Sequence, residues 1–172
     1  TLRVNEGVLI FANTGSLTTG PDSQVVLYSS PYSSAALSFE SESTSSLLQG
    51  SLSHTGMGTD SVFVKAGDVL AEGPYSAGRT VVMGGSLGLV GVGPELGGTT
   101  ISSGDLRVVD VGSRMNRVEI AGGTAYLSGI VSGNVQNAGL LSPGPGAGIL
   151  TVEGNYNQAA AGTLWIDLEG DV

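Results

Sequence analysis

Val82-Met-Gly-Gly85-Ser-Leu87-Gly-Leu89, Ile101-Ser-Ser-Gly104-Asp-Leu106-Arg-Val108 and Ile120-Ala-Gly-Gly123-Thr-Ala125-Tyr-Leu127 are three copies of one phrase, evenly spaced along the chain. An apolar residue and two spacers lead to a glycine, and apolar residues follow it at the second and fourth places. Outward from this centre, looser copies surround Gly7, Gly50, Gly67 and Gly162. Gly50, Gly67, Gly85, Gly104 and Gly123 follow one another at nearly equal intervals, and the step from Gly123 to Gly162 spans two such intervals. A self-similar period of about twenty residues makes each copy one turn of a solenoid, which buries its apolar face only against its neighbours. The expectation is an all-β parallel β-helix with turns of about 19 residues, running through positions 1–172 as a single segment.

After each glycine the apolar residues alternate, as in Leu106-Arg107-Val108, which is the period-two signature of a strand with one face buried. The same alternation points Leu164, Ile166 and Leu168 inward and Trp165 and Asp167 outward. Phe63, Val82, Ile101 and Ile120 are equally spaced and are expected to stack along the axis. No window bounded by a cap and free of glycine carries apolar residues at i, i+3, i+4 and i+7, so helices are not expected. Glycine, present 29 times, would penalise a helix interior by about 1 kcal/mol at each occurrence.

Two stretches break the rhythm. Serine crowds residues 29–61, which read as a turn carrying protruding polar loops, with Ala35-Ala-Leu-Ser-Phe39 still able to form a strand. Gly91-Val-Gly-Pro-Glu-Leu-Gly-Gly98 reads as a second loop. Neither a Met start nor a polar capping segment flanks the pattern, so the chain reads as part of something longer.

The net charge of −9, with six basic residues scattered singly, leaves no basic stripe for phosphates. Nucleic acid is therefore not an expected partner. With no cysteine, disulfide frameworks, thiolate metal sites and cysteine nucleophiles are excluded. No calcium-binding nonapeptide, EF-hand loop or phosphate-binding glycine motif occurs, so no metal or cofactor is expected.

The residue types that catalysis requires are few. The single histidine, His54, has Asp60 and Ser61 close by in sequence, but no nucleophile elbow surrounds any serine. His54 falls at an apolar place of the repeat and reads as a partly buried structural residue. Paired carboxylates for glycoside hydrolysis could be Asp105 with Glu119, or Asp110 with Glu119. The remaining acids read as solvated turn and face residues, so no catalytic residue is expected.

Residues 129–170 carry four ordered blocks: Gly133-Asn-Val, Leu141-Ser-Pro-Gly144, Gly148-Ile-Leu-Thr-Val-Glu-Gly-Asn-Tyr156 and Gly162-Thr-Leu-Trp-Ile-Asp-Leu168. Read physically, Ser142-Pro-Gly-Pro-Gly146 cannot extend a strand, because proline lacks an N–H and glycine favours turns. Ile149–Val152 reads as a strand and Asn155-Tyr156-Asn157 as a turn. Asn134, Asn137 and Asn155 are candidates for hydrogen-bonded ladders between turns, or else ordinary turn asparagines. Together the four blocks resemble the passenger-associated repeat of bacterial autotransporters.

That resemblance implies a right-handed β-helix carried to the surface of a Gram-negative bacterium, through periplasm and outer membrane, by an outer-membrane β-barrel of its own precursor. It also implies an autochaperone role for residues 129–170. The expected function is a non-catalytic stalk for adhesion, with a host surface protein or glycan as partner, or for self-association. Alternatives are the stem of a passenger bearing an upstream protease or lipase domain, and a β-helix enzyme acting on polysaccharide.

Overall fold

The computed structural model describes residues 1–13, 15–56, 59–91 and 93–168. They form a parallel β-solenoid of about eight coils with no helix among them. The first coil is built from β1 (Leu2–Asn5), β2 (Gly7–Ala12) and β3 (Thr18–Thr19), and the second from β4 (Gln24–Ser29) and β5 (Ala35–Leu48). β6 (Ser51–Gly56) and β7 (Ser61–Ala71) make the third, and β8 (Ser76–Val82) and β9 (Ser86–Leu89) the fourth. The fifth holds β10 (Glu95–Ile101) and β11 (Asp105–Val108), the sixth β12 (Arg114–Ile120) and β13 (Thr124–Leu127). The seventh comprises β14 (Gly129–Val131), β15 (Val135–Asn137) and β16 (Leu140–Ser142). The last comprises β17 (Leu150–Val152), β18 (Tyr156–Gln158) and β19 (Thr163–Leu164).

Every strand pairs in parallel with its counterpart one coil away, and the pairings sort into three faces. β1, β4 and β6 begin the first face, which continues through the openings of β8, β10 and β12 to β14 and β17. The second runs from β2 through the front of β5 and β7 and the ends of β8, β10 and β12 to β15 and β18. The third runs from β3 through the ends of β5 and β7, then β9, β11, β13, β16 and β19.

The core is a set of axial columns. On the third face, Leu48, Ala71, Leu89, Val108 and Leu127 stack in register and are all buried. On the second, Phe39, Val64, Val82, Ile101 and Ile120 do the same. The expected stack of Val82, Ile101 and Ile120 is present, but Val64 occupies the place expected of Phe63. Phe63 pairs with Val81 and is only half-buried. The coil from Val64 to Val82 is one residue shorter than the coil from Val82 to Ile101, and a slip of one residue along a strand exchanges its two faces.

The glycines of the repeat phrase fall at two different corners. Gly67, Gly85, Gly104 and Gly123 have φ between +66° and +75°, and a Cβ on any of the last three would overlap the carbonyl oxygen of the glycine one coil earlier. Gly139 and Gly162 carry the same corner onward, so the double step from Gly123 to Gly162 contains Gly139 as its missing member. Gly50 does not belong here. It stacks with Gly73 and Gly91 at the corner between the third and first faces. Both corners need a close backbone approach and lie between apolar strands, so one local phrase describes either. Gly7 pairs with Ala35 on the second face.

Most of residues 29–61 is sheet, where protruding loops were expected. After the turn at Ser30–Ser34, where Tyr32 is fully exposed, β5 passes around a corner as one continuous strand. Ser38, Ser41 and Ser46 are buried, and the Ser46 hydroxyl accepts the Leu17 N–H across coils. Small hydroxyls tolerate burial in a strand when the neighbouring coil supplies a partner. Met57 and Gly58 lie outside the described residues. Gly91 turns a corner, whereas Glu95–Gly98 opens β10 and is strand, its Gly97 pressed against the Gly78 carbonyl.

In the final coils Ser142 ends β16 and Leu150–Val152 is a strand. Tyr156, expected in a turn, lies in β18 below Val135. Its hydroxyl accepts from Asn137 Nδ2 (3.1 Å) and donates to Gln158 Oε1 (2.7 Å). Asn137 continues the column of Ile120, is 1 % exposed, and also bonds the Thr163 carbonyl and the Gly139 N–H. A buried carboxamide with these contacts made ties successive strands together. Replacing Asn137 with alanine is expected to cost about 1–3 kcal/mol, the penalty for leaving such partners unmatched. Urea denaturation measures the loss, and hydrogen exchange should show it concentrated in residues 137–164.

Leu164, Ile166 and Leu168, expected to face inward, are exposed, because no further coil among the described residues covers them. Trp165 and Asp167 do share a side, joined by a bond from the indole N–H to Oδ1.

Candidate functional site

In a solenoid the interior is filled by stacked side chains, so chemistry must be sought on the faces and corners. His54 and Asp60, close in sequence, are also close in space. Asp60 is fully buried, and its Oδ1 accepts the Ala35 N–H at 3.3 Å. Its Oδ2 has no hydrogen-bond partner among the described residues and lies 3.8 Å from Nδ1 of His54, beyond hydrogen-bonding distance. No hydrogen bond among the described residues links Ser61 to His54; Ser61 is buried at the start of β7. The three residues therefore do not assemble the relay that would activate a serine hydroxyl. Replacing Asp60 with alanine strips the Ala35 N–H of its acceptor and is expected to cost about 1–3 kcal/mol. Asparagine keeps an acceptor oxygen and should cost clearly less; comparing the two denaturation midpoints checks this.

The two candidate hydrolytic carboxylate pairs are separated by the fold. Asp105 opens β11 on the third face, whereas Glu119 lies in β12 on the second. Asp110 sits in the turn after β11, where its carboxylate accepts the Gly93 N–H. Arg117 approaches Glu119 at 4.0 Å, and both side chains are well exposed. Elsewhere on the faces, Lys65 binds Glu40 at 2.7 Å, and this bond, with a second from Ser38, holds the Glu40 carboxyl below its ordinary range. Burial pushes the Tyr75 phenol up, so it stays protonated while bonded to Thr80.

One surface brings several unspent polar groups together. Glu119, Gln136 and Asn157 are in register on three successive coils and project from the second face. Beside them Ala121, Ala138 and Ala159 form a low apolar ledge, and between the two rows runs a trough of about 470 Å³. A smaller depression of about 260 Å³ lies across the same ladder, lined by Asn134, Asn155 and Tyr156. Asn134 Oδ1 accepts the Asn155 backbone N–H at 3.0 Å, a side-chain-to-backbone contact between coils in place of a ladder of stacked side chains. Asn137 points into the core instead, because it follows Gln136 on a strand and takes the opposite face.

The carboxamides of Gln136 and Asn157 make no hydrogen bond with any described residue, whereas those of Asn134, Asn137 and Gln158 are engaged. Neither Gln136 nor Asn157 stands out in the sequence, because the steps from Glu119 to Gln136 and from Gln136 to Asn157 are unequal and depart from the central period. No family model, curated protein or solved structure matches the chain, so its functional reading rests on its own residues.

Proposed function

We propose that the chain is a non-catalytic stalk segment of a bacterial autotransporter passenger, displayed outside the outer membrane for adhesion or self-association. The observation that carries this reading is the unbroken core. Apolar columns run from coil to coil, and the strands stay paired from the first coil to the last. At about 4.8 Å per coil the stack forms a rod of roughly 35 Å, which gains length without needing a wider core. Such a fold presents surface and spacing.

The four blocks of residues 129–170 support an autochaperone part for the C-terminal coils, since in a one-dimensional fold a stable coil templates its neighbour. The chain's precursor barrel is its first partner on this reading. The test is to fuse the chain ahead of an outer-membrane β-barrel in a Gram-negative host and add protease to intact cells. Release of the folded segment is expected. Retention in the periplasm, with the barrel inserted, would sink the proposal.

A further inference from the structure

We infer that the trough along Glu119, Gln136 and Asn157 is a binding site for a neutral oligosaccharide lying parallel to the solenoid axis. The inference deepens the adhesive side of the proposed function and rests on that reading only for its biological setting.

The chemistry of the lining selects the ligand. Each carboxamide offers two N–H donors and a carbonyl acceptor, and those of Gln136 and Asn157 are unspent among the described residues. A sugar hydroxyl both donates and accepts, so vicinal hydroxyls match a carboxamide in both directions. Glu119 adds an acceptor-only group at one end. The row of Ala121, Ala138 and Ala159 supplies an apolar strip on which the C–H face of a sugar ring can rest without steric obstruction. A few directed polar groups beside an apolar surface is the usual division of labour in a small-molecule site.

Charge narrows the choice. The lining contains one carboxylate, approached at 4.0 Å by the exposed Arg117 outside the lining, and no cation of its own; on a chain of net charge −9, sialylated, uronic or sulfated glycans meet net repulsion. The geometry sets the direction. Adjacent coils repeat the polar group about every 4.8 Å, and three coils give a track of roughly 10 Å, so an extended chain along the axis meets Glu119, Gln136 and Asn157 in turn.

The experiment applies the purified chain to an array of neutral and acidic oligosaccharides, then titrates a bound neutral tetrasaccharide by calorimetry. Binding to neutral glycans is expected, increasing with length from disaccharide to tetrasaccharide. Gln136→Ala with Asn157→Ala should weaken it at least tenfold, and Ala138→Trp, which fills the trough, should abolish it. Gln24→Ala, an exposed carboxamide on the first face, should leave it unchanged. Circular dichroism checks that each variant folds.

Failure to bind any neutral glycan, preference for acidic ones, or equal binding by the trough variants would overturn the inference. So would a dimer in sedimentation that Ala138→Trp dissociates, since the trough would then belong to a second copy. Display on cells plays no part here, so failure of this test leaves the stalk reading standing, and failed export leaves the trough untouched.

Discussion

Gly104→Ala should lower the stability of the solenoid by about 3 kcal/mol or more, while Gly98→Ala leaves it unchanged or slightly raised. The two glycines lie in the same coil and differ in what a methyl group would meet. Gly104 sits at φ +75°, and its added Cβ would overlap the Gly85 carbonyl oxygen and the Gly84 backbone. Left-handed backbone alone costs an L-residue roughly 1–2 kcal/mol. The overlap then forces two coils apart where their hydrogen bonds require close spacing, because the obstacle is backbone and cannot rotate away. Gly98 has ordinary φ and nothing within 4 Å of the same position. There alanine chiefly narrows the unfolded ensemble, a gain of about 0.4–1 kcal/mol. Urea midpoints of the two variants decide the matter. Equal midpoints would mean that the glycine corner is not stacked as described.

A second large effect is expected at Leu106. This side chain is fully buried between Leu87 and Ala125 in the column that continues to Leu141 and Leu164. Truncation to alanine removes buried methyl groups and leaves a cavity, at a cost of about 2–5 kcal/mol. Leu164 occupies the same column in the last described coil and is 40 % exposed, so Leu164→Ala should cost under about 1 kcal/mol. The contrast tests the one-dimensional character of the fold, since identical chemistry differs only in whether a coil lies on both sides. Hydrogen exchange should show the Leu106 variant loosening the coils on either side. Uniform loss of protection throughout the chain would contradict nearest-neighbour stacking.

The central coils are readable from sequence because their period is nearly constant. On the third face Leu70, Gly88, Arg107 and Tyr126 lie one above another at almost equal intervals along the chain, so pattern and structure agree. Toward the N-terminus the steps from Thr18 to Leu47 and from Leu47 to Leu70 are longer, and beyond Tyr126 the step to Ser142 is shorter. There the same apolar alternation is present, but a fixed period no longer says which residues meet. This is why a constant period puts Phe63 in the place of Val64, and groups Gly50 with glycines of a different corner. Of the candidate surface, Glu119, Asn134 and Asn155 are visible in the sequence, but the ladder joining Glu119 to Gln136 and Asn157 depends on unequal corner lengths.

Local alternation and a nearly regular repeat are enough to give the class of fold, the parallel stacking and the presence of glycine corners. Which glycine stacks on which, the passage of the serine-rich stretch as sheet, and the convergence of unspent carboxamides emerge only in the folded chain. Those outcomes depend on the register between coils, which the length of each corner sets and which a shift of one residue reverses.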